Sequence, residues 1–140
     1  MGIRKLFWFL LCCSLNTGSF SQPSEVIDSL LKLKTTTKID SNKVRILLAL
    51  SKEYRGNNPT EAIRYAYEAK ELSEKINYAN GRALAFKGLG LVYVLQGKYV
   101  ETIESYELAL AIFDSLNDKA GVANILSNQG TVYYNQADDA

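Results

Sequence analysis

Downstream of Pro23 the apolar positions recur at intervals of three and four residues, the period of helices that bury one face. The pattern is densest between Ala83 and Leu116, where two amphipathic stretches meet at Gln96-Gly97-Lys98. Leu89, Gly90 and Tyr93 share a face of the first stretch; Thr102, Tyr106 and Ala109 share a face of the second. A mid-helix glycine costs about 1 kcal/mol relative to alanine, so Gly90 predicts a close approach by the partner helix. Phe86, Leu89 and Tyr93 are expected to fill the space around that approach.

This helix pair recurs. A shift of forty residues places Gly81 on Gly121, Ala83 on Ala123, Phe86 on Leu126, Gly90 on Gly130, Val92 on Val132 and Tyr93 on Tyr133. The same shift backwards places Ile103 on Ile63, Tyr106 on Ala66, Ala109 on Ala69, Ile112 on Leu72 and Leu116 on Ile76. The chain therefore divides into units at 41–78, 79–118 and 119–140, the last of them incomplete.

In the first unit a helix is predicted over residues 41–55, with Val44, Leu47, Leu48, Leu50 and Tyr54 as its apolar set. Gly56-Asn57-Asn58-Pro59 ends it. Asn58 can cap the next helix, Pro59 suits its first position because the missing N–H would have no partner there, and Glu61 stands three residues after the cap. That helix runs to about residue 77 with Ala62, Ile63, Ala66, Ala69, Leu72 and Ile76 inward. Arg64, Glu68, Lys70, Glu71, Glu74 and Lys75 form a solvated face on which Arg64 and Glu68 can pair. Ahead of it, within residues 22–40, one short helix carries Val26, Ile27, Leu30, Leu31 and Leu33, and is expected to cap the open end of the first unit. Behind it, a helix over about 119–136 is expected to present Leu126, Val132 and Tyr133 as an apolar stripe to a helix that these residues do not encode. The chain is accordingly expected to be the N-terminal part of a longer protein.

Phe86-x-x-Leu89-Gly90-x-x-Tyr93, then Gly97-x-Tyr99-x-x-Thr102, then Tyr106-x-x-Ala109 resembles a tetratricopeptide repeat, with Phe86 where that family often has tryptophan. The resemblance covers residues 41–140, and the period near forty resembles a longer-helix subtype. Ser51 stands at the helix-glycine position of the first unit, Gln129 stands where the second unit has Leu89, and the first unit's turn is one residue shorter. The resemblance implies an all-α fold, an α-α superhelix or solenoid of antiparallel helix pairs, whose concave surface is lined by the first helix of each pair. Residues one step off the buried face would point into that groove: Arg45 and Lys52, then Lys87 and Leu91, then Asn124, Asn128, Thr131 and Asn135. The last four follow at spacings of 4, 3 and 4, a single polar stripe. Asparagine amides offer both donor and acceptor to the backbone of an extended peptide, and the basic residues can hold a carboxylate. The alternative is that all eight are merely solvated. They do not reproduce the ordered basic and amide set of the family's carboxylate clamp.

Residues 1–21 change the picture at the N-terminus. Arg4 and Lys5 precede an apolar run from Leu6 to Leu15, followed by small and polar residues, the layout of a secretory signal peptide with cleavage before Gln22. A run of ten residues, Ser14 among them, is shorter than the roughly 20 that span a bilayer. An uncleaved anchor, a buried core helix, or a lipoprotein attachment through Cys12 or Cys13 are the alternatives. With Arg4 and Lys5 removed, the net charge of +1 falls to about −1, and no basic patch suggests nucleic acid.

Both cysteines, Cys12 and Cys13, lie in that run, and there is no histidine in the chain. Histidine-ligated metal sites, Ser-His-Asp triads and phosphorelay histidines are excluded. Gly88-Leu89-Gly90 lies within a helix and reads as packing, Tyr133-Tyr134 as one core and one surface ring, and Glu101, Glu104 and Glu107 as a solvated acidic face. No catalytic role, metal or cofactor is expected. The expected function is an exported, periplasmic module that binds a protein or peptide. The passage after the signal peptide also resembles the N-terminal region of Bacteroidetes-type envelope sensor proteins, in which repeats precede a membrane span and an output domain such as a histidine kinase. That resemblance implies a sensory part of a longer, membrane-anchored signalling protein; the alternative is a stand-alone periplasmic or secreted scaffold.

Overall fold

The structure, a computed structural model, describes residues 23–138. The expected signal peptide, with Cys12 and Cys13, lies outside the described residues. Among these residues six helices follow one another: α1 (Pro23–Thr36), α2 (Ser41–Tyr54), α3 (Pro59–Lys75), α4 (Ala79–Leu95), α5 (Tyr99–Ser115) and α6 (Lys119–Asp138), counted over the described residues alone. Among the described residues there is no strand, and the fold is an all-α helical repeat. Each helix packs on the next, and α2 also touches α4.

From α3 onward the helices begin at residues 59, 79, 99 and 119, a half-period of twenty. Each of α3, α4 and α5 has 17 residues and ends in the same three-residue turn. In each turn the middle residue takes a left-handed backbone: Asn77 and Asn117 at φ 55°, Gly97 at φ 68°. Two hydrogen bonds close each turn in the same way. Asn77 donates to the Glu74 carbonyl and Tyr78 to Ser73, Gly97 to Val94 and Lys98 to Tyr93, Asn117 to Asp114 and Asp118 to Phe113. This is the Schellman arrangement, which satisfies carbonyls left over at a helix end. A Cβ at Gly97 would meet no atom within 4 Å, so only the backbone conformation restricts the position. Gly97→Ala is expected to lower stability by about 1 kcal/mol, measurable as a fall in Tm with unchanged helicity.

Helix starts follow the local chemistry. Asp40 caps α2, accepting from the Asn42 and Lys43 N–H groups at 2.8 and 3.2 Å. Asn58 caps α3, accepting from Glu61 at 3.2 Å, with Pro59 at the first position. Asp118 accepts from the Gly121 N–H at 2.9 Å and caps α6. On the α3 surface Arg64 bonds mainly to Glu61, its Nε donating at 3.0 Å, while the expected contact to Glu68 is longer at 3.5 Å. That bond holds the Glu61 carboxyl below its ordinary pKa.

Two buried clusters meet at α4. The first joins Ile27 of α1 to Val44, Leu47 and Leu50 of α2, Tyr65 and Ala69 of α3, and Ala85 of α4. The second joins Ala83 of α4 to Tyr106, Ala109 and Phe113 of α5 and Ile125 and Val132 of α6. Helix α1 is thus seated on the first unit, and Lys34 ties it to α3 through Glu68 at 2.9 Å. Lys34 and Arg64 both lie over the Tyr65 ring, which also stacks on Tyr54 with centroids 5.6 Å apart.

Gly90 is where the close approach occurs. A Cβ there would overlap the Tyr106 ring of α5, lying 2.6 Å from its Cδ1. In the first unit the corresponding Ser51 and Ala66 are both buried.

Two expectations about α6 change. Val132 is buried with Ile125, seven residues earlier, against the second cluster, while Leu126 and Tyr133 lie next to them and are 52% and 56% exposed. Tyr133 and Tyr134 are both surface rings; neither is core.

Candidate functional site

Between α2 and α4 lies an open pocket of about 370 Å³ lined by Leu48, Ser51, Lys52, Arg55, Leu84, Lys87, Gly88 and Leu91. It follows from the spacing within each helix. Leu48, Ser51, Lys52 and Arg55 succeed one another at three, one and three residues along one side of α2 and its C-terminal cap. Leu84, Lys87, Gly88 and Leu91 repeat that spacing on α4. Packing of α2 on α4 sets the two rows face to face.

Three leucines supply an apolar lining, and three cations, Lys52, Arg55 and Lys87, stand around it with no carboxylate among the lining residues. None of the three cations forms an ion pair among the described residues. Arg55 is close enough to Tyr106 for its charge to oppose the effect of burial, which raises that hydroxyl's pKa. Further along α4, Tyr93 is pushed up to about 12, first by burial and then by its hydrogen bond with Tyr67 of α3. These tyrosines are therefore neutral donors and acceptors at ordinary pH.

Of the eight residues expected in a groove, Lys52, Lys87 and Leu91 come together in this pocket. Arg45 is exposed on α2 but does not line it, and Asn124, Asn128, Thr131 and Asn135 lie on α6, outside the pocket. Arg55 and Gly88 were not anticipated. Arg55 carried a usable signal, standing three residues after Lys52 and so on the same helical side. Gly88, expected to serve packing like Gly90, does not: a Cβ there would find only the Ser51 hydroxyl, at 3.9 Å. Its missing side chain leaves the pocket open.

A smaller recess of about 230 Å³ between α3 and α4 is lined by Ser73, Glu74, Asn77, Tyr78, Ala79 and Arg82, where the Arg82 Nε is buried without a hydrogen-bond partner. Among the described residues no cluster of His, Cys, Asp and Glu is arranged to hold a metal, and no helix is long and apolar enough to cross a membrane.

A chain of stacked helix pairs with a cationic, leucine-lined pocket on one face is a helical repeat protein of the kind that offers surface to other molecules. Residues 81–140, covering α4 to α6, match the family model described as tetratricopeptide repeat. Repeats of this family commonly bind protein partners. No curated protein and no solved structure matches the chain.

Proposed function

We propose that this repeat array binds an extended segment of a partner protein in the pocket between α2 and α4, and that the segment presents a carboxylate beside a large apolar side chain. The observation that carries the reading is the set of three cations, Lys52, Arg55 and Lys87, without an ion-pair partner among the described residues, around a lining of Leu48, Leu84 and Leu91. A carboxylate gains charge-assisted hydrogen bonds from Lys or Arg, and the leucines remove an adjoining side chain from water. Arg45 and the polar stripe of α6 would extend the contact along the segment on either side.

The test is selection from a displayed library of random peptides, followed by fluorescence anisotropy on the enriched sequences. Enrichment of Asp or Glu next to Leu, Ile, Phe or Met is expected. Lys52→Glu with Lys87→Glu should weaken the best peptide at least about tenfold, since a hydrogen bond to a charged group contributes about 1.5–3 kcal/mol. Gly88→Leu should do the same by filling the pocket, without loss of Tm. Peptides that bind these variants and the parent chain equally would overturn the assignment.

The same reading places the array outside the cytoplasm, as the input region of a longer envelope signalling protein. It is supported by the basic, apolar and small-residue order of residues 1–21 and by the resemblance of the following passage to envelope sensors. Fusion of the chain to a phosphatase that is active only after export tests the placement: an inactive fusion in a folded, expressed product would count against it.

A further inference from the structure

Buried hydroxyls in these helices are satisfied in one way, and Ser51 departs from it. Ser73, Thr102 and Ser105 are buried, and each donates its hydroxyl to the carbonyl four residues earlier at 2.7 Å: Ser73 to Ala69, Thr102 to Lys98 and Ser105 to Glu101. That bond lets a serine or threonine inside a helix satisfy its hydroxyl away from water. Ser51 of α2 is as deeply placed, 3% exposed, yet its hydroxyl forms no hydrogen bond among the described residues. Nor is it sealed among protein atoms, as the Arg82 Nε is; Ser51 lines the pocket between α2 and α4.

The hydroxyl faces α4, where it is the nearest atom to a Cβ placed at Gly88, at 3.9 Å. Leu48 stands three residues before Ser51 on α2, and Leu84 and Leu91 stand four before and three after Gly88 on α4. Ser51 therefore lies at the bottom of the pocket, opposite bare backbone and between leucines. It is the one neutral polar side chain in a lining otherwise made of those leucines, Gly88 and the cations Lys52, Arg55 and Lys87.

An occupant of the pocket decides what becomes of this hydroxyl. A side chain of hydrocarbon alone covers it and takes away its water, and an unpaired buried hydroxyl opposes binding. An occupant that carries its own hydroxyl at the far end of an apolar body restores the lost bond, because each hydroxyl can both donate and accept. Tyrosine has that form: a flat ring for the leucines and for the bare backbone at Gly88, with an O–H at its tip.

We infer, resting on the pocket reading proposed above, that the large side chain received beside the carboxylate is preferentially a tyrosine, and that Ser51 is the residue that selects it. The ring lies between Leu48 on one side and Leu84 and Leu91 on the other, passes the bare backbone of Gly88, and pairs its hydroxyl with that of Ser51. The leucines also accept leucine, isoleucine, phenylalanine or methionine; the paired hydroxyls rank tyrosine above them.

The test uses one acidic peptide enriched from the displayed library, synthesised in two versions with tyrosine or phenylalanine beside the acidic residue. Fluorescence anisotropy measures both against the parent chain and against Ser51→Ala. The parent chain should bind the tyrosine version about three- to tenfold more tightly, the range of one net hydrogen bond. In Ser51→Ala that preference should vanish or reverse, since tyrosine loses its partner and phenylalanine no longer covers an unpaired hydroxyl. Alanine is the better helix former and removes a single oxygen, so the variant should keep its Tm. The peptide pair alone needs no change to the protein, so the first comparison does not depend on how the variant folds.

Equal affinity of the parent chain for the two peptides, with Lys52→Glu and Lys87→Glu still weakening both, would keep the pocket but overturn the role of Ser51. Its hydroxyl would then turn to the Leu47 carbonyl when the pocket fills, as the other three hydroxyls do with theirs. A tyrosine preference that survives Ser51→Ala also overturns the inference, because the phenol would be paired elsewhere. Binding indifferent to Lys52→Glu with Lys87→Glu overturns the pocket reading and the inference together.

Discussion

Replacing Gly90 by leucine is expected to lower the stability of the protein by about 3 kcal/mol, the upper part of the range for overpacking a core. The Tyr106 ring it would strike is 1% exposed and sits in the second buried cluster with Ala109 and Phe113, so it has no free side to move into. Against a total of about 5–15 kcal/mol for a typical domain, that is a large fraction. Tyr106→Ala alone should cost a similar amount, about 3–5 kcal/mol, by leaving a cavity. The two changes together should cost at least about 1 kcal/mol less than their sum, because the new leucine occupies volume the ring has vacated. Gly130→Leu should be neutral or stabilising by up to about 1 kcal/mol in dilute solution, since no atom lies within 4 Å of the new Cβ and leucine is the better helix former. Urea denaturation followed by far-UV circular dichroism measures all four. A gain of similar size at Gly90 and Gly130 would show that helix propensity, and not the Tyr106 contact, governs both positions.

Leu47→Ala is expected to cost about 2–5 kcal/mol and, unlike Gly90→Leu, to act mainly on the N-terminal part of the array. Leu47 is fully buried among Val44, Leu50, Tyr65 and Ile27, and none of these belongs to the cluster formed by Tyr106, Phe113, Ile125 and Val132. In a stack where each helix touches little beyond its neighbours, stability is close to a sum of local and nearest-neighbour contributions. Hydrogen exchange should therefore show protection falling furthest in α1, α2 and α3, with a smaller loss in α5 and α6. Helix α4 holds the clusters together, through Ala85 on one side and Ala83 on the other. A uniform loss along the chain would mean that α4 couples them into one cooperative unit.

How far the sequence can be read depends on how local the cause is. The α3 start needs only Asn58, Pro59 and Glu61, and it is found where those residues place it. The turn at Gly97 is marked by a glycine in the left-handed region, whereas its counterparts at Asn77 and Asn117 use asparagine, which tolerates that region and marks it less clearly. The Schellman closure common to all three emerges only when the backbone bonds are seen together.

Alignment of the repeats was a weaker guide to environment than to helix position. Phe86 and Leu126 occupy the same register, yet Phe86 packs against the second cluster and Leu126 is half exposed, because α4 has a helix on either side and α6 does not. Val132 turns inward as its repeat counterpart Val92 does, although the apolar stripe read along α6 placed it outward with Tyr133.

By itself the sequence determined the helices, their period, and the need for a small residue at Gly90, because periodicity, capping and steric room act over three or four residues or across one turn. Only the tertiary structure decided that Arg55 and Gly88 join Lys52, Lys87 and Leu91 around one pocket, while Arg45 and the α6 asparagines stay outside it. That choice depends on how α2 sits on α4, about forty residues further along the chain, and such packing is set by the shapes of whole helix faces rather than by spacing within either one.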